Sequence, residues 1–420
     1  MSTAANISGI GTRETLGASA NGVSAALFVA GLAGLGLGAV GGFFGGHAES
    51  FWRGYITGFI YVLTIALGSL FFVLLQHLTR AGWSVTVRRV AEIFTTSFPI
   101  LALLSIPILV AMWMAWNGSG VMLDIYPWTN QAEVLKDKVL THKQPYLNMT
   151  FFTARFVFYF LVWNAVAGFL RGNSLEQDRS GDERLSLKML RWSPLSMLLF
   201  ALTLTFCAFD LLMSLEPKWF STIFGVYVFA GCVVSFHATM ALTLLTLQSL
   251  GRLKSTISEE HYHDVGKMLF GFMVFWTYIA FSQYMLIWGA NLPEETFWFK
   301  IRETEPWRTL SVVLLVGHFA VPFLLLISRF TKRRPVLLAV MATWMLVMHL
   351  VDMVYLVLPR LKHGSTDVAP LETMDLLMVL AGVIGVGGLC AAVVIRRMTT
   401  ISLVPTHDPR LSESIAFENV

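Results

Sequence analysis

Residues 54–76 read GYITGFIYVLTIALGSLFFVLLQ, without a single Asp, Glu, Lys or Arg. A helix of this length rises about 1.5 Å per residue and can therefore cross the roughly 30 Å of hydrocarbon in a bilayer. The rest of the chain has the same character, because 55% of its 420 residues are hydrophobic and only 13% are charged, against about 25% charged in an average soluble domain. The sequence predicts an integral membrane protein.

Ten apolar runs are long enough to cross a bilayer. Their approximate limits are 22–46, 52–78, 92–116, 146–170, 194–213, 220–250, 265–290, 306–329, 335–358 and 372–397. Because every backbone polar group in lipid must be hydrogen-bonded within its own segment, each run is expected to be a helix. We predict an all-α fold with a ten-helix transmembrane domain over 21–398 and polar tails at 1–20 and 399–420. Pro405 and Pro409 oppose a helix in the second tail.

The basic residues between the runs indicate an orientation. About twice as many Lys and Arg residues fall on the side of the two tails as on the opposite side, and Arg155 is the only one that lies more than three residues from the end of a run. The positive-inside rule therefore predicts that both termini are cytoplasmic, with the strongest contributions from the loop 171–191 and the cluster 329–334. The longest opposite loop, about 117–145, is expected either to cover an extracytoplasmic partner or to be a simple surface loop.

A weak internal repeat predicts how the spans are arranged. A shift of 172 residues aligns Tyr55 with Tyr227 and the stretch 75–80 with 247–252. The two matched spans are four spans apart and so run in the same direction, which predicts two four-helix bundles at about 52–213 and 220–358. Chance similarity between two apolar helices is the alternative.

The first and last spans, 22–46 and 372–397, are interpreted as peripheral helices. Both are rich in glycine, at Gly31, Gly34, Gly36, Gly38, Gly41 and Gly42 and at Gly382, Gly385, Gly387 and Gly388. Small residues allow another helix to approach closely. These two helices are expected to pack against the bundles or against another subunit, and ordinary internal packing would produce the same pattern.

Several functional classes are excluded by composition and spacing. Cys207, Cys232 and Cys390 each lie inside an apolar run and are too scattered for a haem-attachment, iron–sulfur or zinc motif, so we expect them to pack in the core. The formal net charge of +4 comes from basic residues between spans, and no nucleic-acid-binding signature is present. We predict no metal site, no catalytic residue and no cofactor bound by this chain.

Ionisable side chains inside the spans are the strongest functional signal, because a charge at the bilayer centre costs about 2.5–3.5 kcal/mol. Arg155, Asp210 and Asp352 fall at depths that permit pairing, and His349, Asp352 and Tyr355 share one helix face. We interpret them as a proton-handling network in which the two aspartates exchange protons, His349 relays them and Arg155 supplies the counter-charge. A structural ion pair is the alternative.

Other polar residues extend this candidate proton pathway. The remaining members are Ser214, Glu216, His237, Tyr278, Gln283 and His318. Glu216 follows span five. We interpret it as a group at the entrance of the proton pathway, and a residue of a solvated turn is the alternative. His237 and His318 lie near mid-membrane, where core or water-linked histidines are more plausible than haem ligands. Gln76, His77 and Lys267 would continue the pathway inward, although residues that snorkel to the interface would look the same.

Six stretches carry a family resemblance. They are 74–83 (LLQHLTRAGW), 209–221 (FDLLMSLEPKWFS), 263–272 (HDVGKMLFGF), 281–288 (FSQYMLIW), 349–352 (HLVD) and 408–411 (DPRL). Together they resemble the ten-helix membrane subunits of alternative complex III, a bacterial quinol:electron-acceptor oxidoreductase, which belong to the polysulfide-reductase (NrfD-like) family. The length, the Gly-rich first span and the second tail are more similar to the F-type subunit than to the quinol-oxidising C-type subunit.

The resemblance implies a location, partners and cofactors. It implies a multi-pass protein of the bacterial inner membrane, surrounded by lipid and by an NrfD-like quinol-oxidising subunit, an iron–sulfur subunit and c-type haem subunits. Quinol or menaquinol, haem c and iron–sulfur clusters are expected in those partners. If a quinone pocket persists in this chain, it is expected around Arg155, Asp210, His349 and Asp352.

Four functions are compatible with these observations. The first is a proton-conducting, energy-coupling subunit without a redox centre of its own. The second is a structural scaffold that holds the redox subunits on the membrane, and the third is a second quinol-binding subunit. The fourth, a stand-alone transporter, is permitted by ten spans and a repeat. It lacks the expected matched pair of strongly interrupted helices, although Pro99 and Pro107 interrupt span three.

Overall fold

The structure, a computed structural model, describes residues 14–361 and 367–419. Within these residues ten helices are long and apolar enough to cross a membrane, which confirms the predicted all-α, multi-pass fold. We number them α1 (Ala20–Phe43), α2 (Ala48–Leu78), α3 (Val85–Trp116), α4 (Met149–Ser180), α5 (Arg184–Leu211), α6 (Phe224–Ser249), α7 (Glu259–Ala290), α8 (Trp307–Leu326), α9 (Pro335–Val357) and α10 (Thr373–Met398). Residues 1–13 of the predicted first tail and Val420 lie outside the described residues.

Two of the ten spans change helix type along their length. In α3 a 3₁₀ turn at Thr95–Ser97 joins Val85–Phe94 to Phe98–Trp116, and α8 contains a π-helix at Leu314–Ala320. Shorter α-helices lie between and after the spans at Met122–Ile125, Gln131–Val134, Lys138–Lys143, Pro293–Arg302, Arg329–Arg333 and Leu411–Ile415, with 3₁₀ turns at Pro127–Thr129 and Met213–Leu215. In the described part of the chain, extended pairing is confined to one isolated bridge between Leu361 and Val368.

The connection between α4 and α5 differs from the predicted loop 171–191. Helix α4 continues to Ser180, α5 begins at Arg184, and the turn between them contains Gly181 in the left-handed region, at φ +67°. A helix need not end where its apolar run ends, since polar side chains can continue it outside the hydrocarbon. The prediction of a loop was therefore wrong, because the end of α4 and the start of α5 both extend beyond the apolar runs.

Helices α2 and α6 form the centre of the protein. The apolar windows of these spans are 83% and 72% buried, more than in any other span among the described residues. They approach each other so closely that a Cβ atom on Gly68 of α2 would lie 2.1 Å from the carbonyl oxygen of Cys232 on α6. Cys207, Cys232 and Cys390 are buried, unpaired thiols, as predicted.

The glycines of α1 and α10 pack against neighbouring helices of the same chain. A Cβ atom on Gly31 would lie 2.8 Å from the backbone of Leu389, and one on Gly58 of α2 would lie 2.3 Å from the backbone of Gly382. Internal packing therefore accounts for most of these glycines, Gly36 excepted. The division of the remaining spans into two four-helix bundles stays a prediction.

The alternation of ten spans places two sets of connections on opposite faces. We call the face with residues 14–19 and 399–419 the tail face, and the opposite face the far face. On the far face the segment 117–148 packs onto the protein: Trp128 is buried, Tyr126 donates a hydrogen bond to the carbonyl oxygen of Leu211 (3.0 Å), and Lys143 donates one to that of Pro217 (2.6 Å). Coverage of a partner by this segment stays a prediction.

The second tail lies along the beginning of α3. Asp408 forms an ion pair with the buried Arg88 (2.6 Å), and the hydroxyl of Ser414 donates a hydrogen bond to the carbonyl oxygen of Trp83 (2.6 Å). Residues 403–410 are not helical, as Pro405 and Pro409 predicted, and the short helix Leu411–Ile415 follows them. The tail is thus part of the folded protein.

Candidate functional site

Asp210 is fully compensated by its surroundings. Near the end of α5 its carboxylate accepts two hydrogen bonds from the Arg155 guanidinium, from Nε (2.9 Å) and Nη2 (2.8 Å), and a third from the hydroxyl of Tyr159 (2.7 Å). Arg155 and Tyr159 are four residues apart on α4, so both reach the same partner. The predicted pairing of Arg155 with a buried acid is confirmed for Asp210.

The opposite side of the Arg155 guanidinium is also occupied. It lies 3.8 Å from the ring centroid of Tyr146 and 4.3 Å from that of Phe151, and its Nη1 donates to the carbonyl oxygen of Tyr146 (3.0 Å). The hydroxyl of Ser214 bonds the main-chain carbonyl of Asp210 (2.5 Å) and not its carboxylate. This geometry is that of a closed, bidentate ion pair.

Asp352 has a different environment. It is completely buried in α9, and the hydroxyl of Tyr227 on α6 donates a hydrogen bond to its Oδ1 atom. Among residues 14–361 and 367–419 no Lys, Arg or His forms an ion pair with it, and the side chain of Trp276 lies within hydrogen-bonding reach of its carboxyl group. We had predicted that Arg155 supplies a counter-charge to both aspartates. That prediction was wrong, because Arg155 pairs with Asp210 and not with Asp352. A buried carboxyl group without a cation is an unusual and costly arrangement.

Aromatic and imidazole groups continue from Asp352 across the protein. The indole of Trp276 on α7 lies beside the Asp352 carboxyl group, and its ring lies 5.4 Å from that of Tyr227. The same indole lies 3.8 Å from the imidazole of His318, measured between ring centroids. These groups form a contiguous buried set from α9 through α6 and α7 to α8.

His318 and His349 both have unused nitrogen atoms. Neither ring nitrogen of His318 has a hydrogen-bond partner, whereas His349 Nε2 lies 2.8 Å from the hydroxyl of Thr64 and its Nδ1 has none. His318 lies in the π-helix of α8, where the indole N–H of Trp344 bonds the carbonyl oxygen of Gly317 (2.7 Å). Single-turn π-helices occur frequently at functional sites.

The other predicted members lie in different places. His237 is held in α6 by a contact between its Nδ1 and the carbonyl oxygen of Val233 (2.7 Å), and its ring stacks on Phe272 (6.2 Å between centroids). Gln283 is buried and accepts a hydrogen bond from Ser221 (3.0 Å). Tyr278, which we had placed in the candidate proton pathway, is 63% exposed on the outer surface of α7.

Glu216 and Arg302 lie on the far face, outside the spans. Burial raises the pKa of the Glu216 carboxyl above its ordinary value of 4.5, and the nearby charges of Arg302 and Arg53 oppose that rise. Burial also lowers the pKa of the Arg302 guanidinium to about 10. Glu216 is thus more than a solvated turn residue, because its protonation depends on two neighbouring guanidinium groups.

Tyr355, the last member of the predicted α9 face, lies beside Arg302. The guanidinium carbon of Arg302 is 5.1 Å from the Tyr355 ring centroid, and its Nε donates to the main-chain carbonyl of Tyr355 (3.2 Å). His349, Asp352 and Tyr355 therefore follow one another toward the far face, as their spacing predicted.

A cavity lies on each face of the protein, and the far-face cavity is lined by residues of this set. On the tail face a cavity of about 260 Å³ is lined by Gln76, His77, Arg80, Arg88 and Asp408, among others, and His77 Nε2 is buried without a partner. On the far-face side a larger cavity, of about 450 Å³, is lined by Tyr227, Trp276, Gln283, Arg302 and Tyr355 together with residues of α7 and α8.

Sequence reasoning missed five residues of the site: Thr64, Tyr159, Tyr227, Trp276 and Arg302. The signal for Tyr159 was available, since it follows Arg155 by one helical turn on the same face. Three of the other residues lie in a different span from the imidazole or carboxyl group that they contact: Thr64, Tyr227 and Trp276. Their contacts depend on how each helix is rotated, which a single sequence does not specify.

The fold and the buried acids define a multi-pass helical membrane protein with an unpaired carboxyl group in its interior. No known family model matches the chain, and a search of curated proteins finds none that matches it.

Proposed function

We propose that this chain is a proton-conducting, energy-coupling membrane subunit of a bacterial quinol:electron-acceptor oxidoreductase of the alternative complex III kind. The observation that carries the proposal is Asp352, a completely buried carboxyl group that accepts a hydrogen bond from Tyr227 and has no cation partner in the part of the chain that the structure describes. A structural acid is normally paired, as Asp210 is. An unpaired acid can gain and lose a proton without breaking an ion pair.

The surroundings of Asp352 support proton transfer. His318 and His349 have nitrogen atoms without hydrogen-bond partners, and an imidazole can accept a proton on one nitrogen and release it from the other. The tail-face cavity reaches His77, and Glu216 lies on the far face. Protons would enter at one of these ends and leave at the other, with Asp352 as the exchanging group between them.

The remaining parts of the proposal follow from the resemblance of six sequence stretches to the membrane subunits of alternative complex III, and from the similarity of the length, the Gly-rich first span and the second tail to the F-type subunit. In this proposal the protein lies in the bacterial inner membrane with cytoplasmic termini. A quinol-oxidising NrfD-like subunit lies beside it, and iron–sulfur and c-type haem subunits carry the redox centres. Quinol or menaquinol is the electron donor of the complex, and this chain supplies the coupled proton path.

Proton yield in proteoliposomes tests the proposal. The native complex carrying Asp352→Asn is expected to assemble and to transfer electrons from quinol, but to move fewer protons per electron than the wild type. Tyr227→Phe is expected to lower the yield as well, since it removes the hydrogen bond that the Tyr227 hydroxyl donates to Asp352. Tyr278→Phe is the matched control, because Tyr278 is exposed on the outer surface and should leave the yield unchanged.

A structural scaffold is the second candidate function. The closed pair of Arg155 and Asp210, buried and bonded on every side, is the kind of contact that fixes two helices together. This candidate predicts that Asp352→Asn leaves both assembly and proton yield unaltered. That result would reject proton conduction through this chain.

A further inference from the structure

The beginning of α5 carries a row of basic side chains on its outer surface, at the tail face. Arg184, Lys188 and Arg191 are exposed, and their spacing of four and then three residues places them on one face of the helix. We had expected these residues in the loop 171–191. As part of a helix they have a fixed spacing, with Cβ atoms of successive members about 5–6 Å apart. We call these three residues the basic stripe.

The charge of the basic stripe is not balanced within the protein. In the part of the chain that the structure describes, none of its three members forms an ion pair, whereas Arg88 and Arg333 on the same face pair with Asp408 and Glu260. The groove that the stripe lines has no acidic side chain in its described lining. The first turn of α5 also contains no acidic residue, and Glu183 before it lines the tail-face cavity instead. An anion is favoured there, because the helix dipole is positive at its beginning.

Contacts with α4 position the inner end of the basic stripe. The Nζ atom of Lys188 lies 5.5 Å from the ring centroid of Phe169 on α4, and the indole of Trp192 lies 6.5 Å from the same ring. Trp192 lines the groove and is 50% exposed. Exposed Trp side chains are typical of the boundary between lipid and water, because they combine an apolar ring with a polar N–H. The basic stripe therefore lies at the level of the lipid head groups.

Deeper in the membrane the same face of α5 is apolar and exposed. Leu195, Leu198 and Leu202 continue the stripe and are 49%, 57% and 48% exposed. Between Arg191 and Leu202 the helix rises by about 16 Å, at about 1.5 Å per residue, which is close to half of the roughly 30 Å hydrocarbon core. Large side chains do not favour a second helix here, since helix contacts in membranes are enriched in small residues. The face thus has the length and polarity of one phospholipid.

We propose that this face of α5 binds an anionic phospholipid from the leaflet on the tail face. The phosphate group lies at the basic stripe, where the two guanidinium groups can bind its oxygens in a bidentate manner and Lys188 adds a point charge. The acyl chains lie along Leu195, Leu198 and Leu202. Basic side chains at the cytoplasmic ends of spans bind such head groups in other membrane proteins. The site is independent of the proposed proton path.

Photo-crosslinking with phosphatidylglycerol that carries a diazirine on one acyl chain tests this proposal. The full chain, in the assembly in which it is purified from membranes, is placed in phosphatidylethanolamine nanodiscs with a small fraction of the probe. After irradiation the labelled peptides are mapped by mass spectrometry. We expect stronger labelling between Arg184 and Leu202 than with a phosphatidylcholine probe of the same chains. An excess of unlabelled phosphatidylglycerol should abolish this difference, whereas inorganic phosphate at equal ionic strength should not.

Two matched variants sharpen the test. The test variant removes the charge of the basic stripe through Arg184→Gln, Lys188→Gln and Arg191→Gln. Its labelling by the phosphatidylglycerol probe is expected to fall more than tenfold, because each cation near an anionic lipid surface contributes about fivefold in affinity. The control variant removes three other exposed cations of the tail face and should label like the wild type: Lys254→Gln, Arg396→Gln and Arg397→Gln. If the test variant fails to assemble, labelling of the wild type at low and high salt serves instead and is expected to fall with salt.

Several results would overturn the proposal. Equal labelling of the test and control variants would show that the basic stripe does not select the lipid, and equal labelling by the two probes would make this face ordinary lipid-exposed surface. Displacement by inorganic phosphate would make it a site for the free anion. Absence of labelling on α5, together with crosslinks from Lys188 to another subunit, would make it a protein interface.

Discussion

Asp210 and Asp352 are both completely buried, yet only Asp210 has a cation within bonding distance. Part of this contrast was predictable, because Arg155 is the one Lys or Arg deep inside a predicted span, away from its ends, and a charge there requires a partner. The sequence did not specify which of the two acids Arg155 would pair with. The pairing depends on the rotation of α4 and α5, which brings Arg155 and Tyr159 into contact with Asp210 and leaves Asp352 facing Tyr227.

The closed ion pair should be important for stability. We expect Asp210→Asn to lower the free energy of unfolding by about 3 kcal/mol, because breaking a buried pair leaves an uncompensated charge. Thermal unfolding of the solubilised protein measures this effect. Asp137→Asn is the matched control, since its partner Lys218 is 56% exposed and such surface pairs contribute at most about 1 kcal/mol. Equal unfolding temperatures for Asp210→Asn and the wild type would contradict the assignment.

Glu216 should make stability depend on pH. Burial raises the pKa of this carboxyl, so the folded protein holds its proton more tightly than the unfolded chain does. The stabilisation is fully present below the ordinary pKa of 4.5 and is lost as the pH rises through the raised value. The unfolding temperature of the wild type relative to Glu216→Gln is therefore expected to decrease as pH rises from 4.5. A difference that is constant with pH would show that Glu216 has an ordinary pKa.

At the scale of single helices, hydrophobicity predicted the existence of all ten spans and most of their ends. The exceptions have physical causes. Helices α4 and α5 continue past their apolar runs because polar residues such as Gln177 and Ser186 bond to each other at the turn (2.8 Å). The π-helix of α8 depends on hydrogen-bond register, which side-chain polarity does not encode, and it positions His318 against Trp276.

The contact between α2 and α10 should depend on glycine. We expect Gly58→Ala to destabilise the protein by about 1–3 kcal/mol, because its Cβ atom would lie 2.3 Å from the backbone of Gly382 and neither backbone can move freely. Gly36→Ala in α1 is the matched control, since no atom lies within 4 Å of its Cβ position. Thermal unfolding of both variants in the same detergent provides the comparison. If both variants unfold at the same temperature, close helix packing at Gly58 does not contribute to the stability of the protein.

At the scale of the whole molecule, each of the two faces contains a cavity that leads toward the interior, and the two cavities differ in their lining. The tail face contains a polar cavity that reaches His77 and is partly formed by the second tail, through Asp408. The far-face cavity is mainly aromatic and opens toward the lipid surface. Asp352 lies behind Tyr227, at the inner end of the far-face cavity. This arrangement underlies the proposed proton path.

The central claim, that Asp352 exchanges a proton while the complex works, is tested most directly by infrared difference spectroscopy. Spectra of the complex in membranes, recorded before and after quinol is added, report carboxyl groups through the carbonyl stretch of their protonated form. We predict a change in this band that disappears in Asp352→Asn and persists in Tyr278→Phe. A band that is unchanged in Asp352→Asn would contradict the claim and leave this chain as a scaffold.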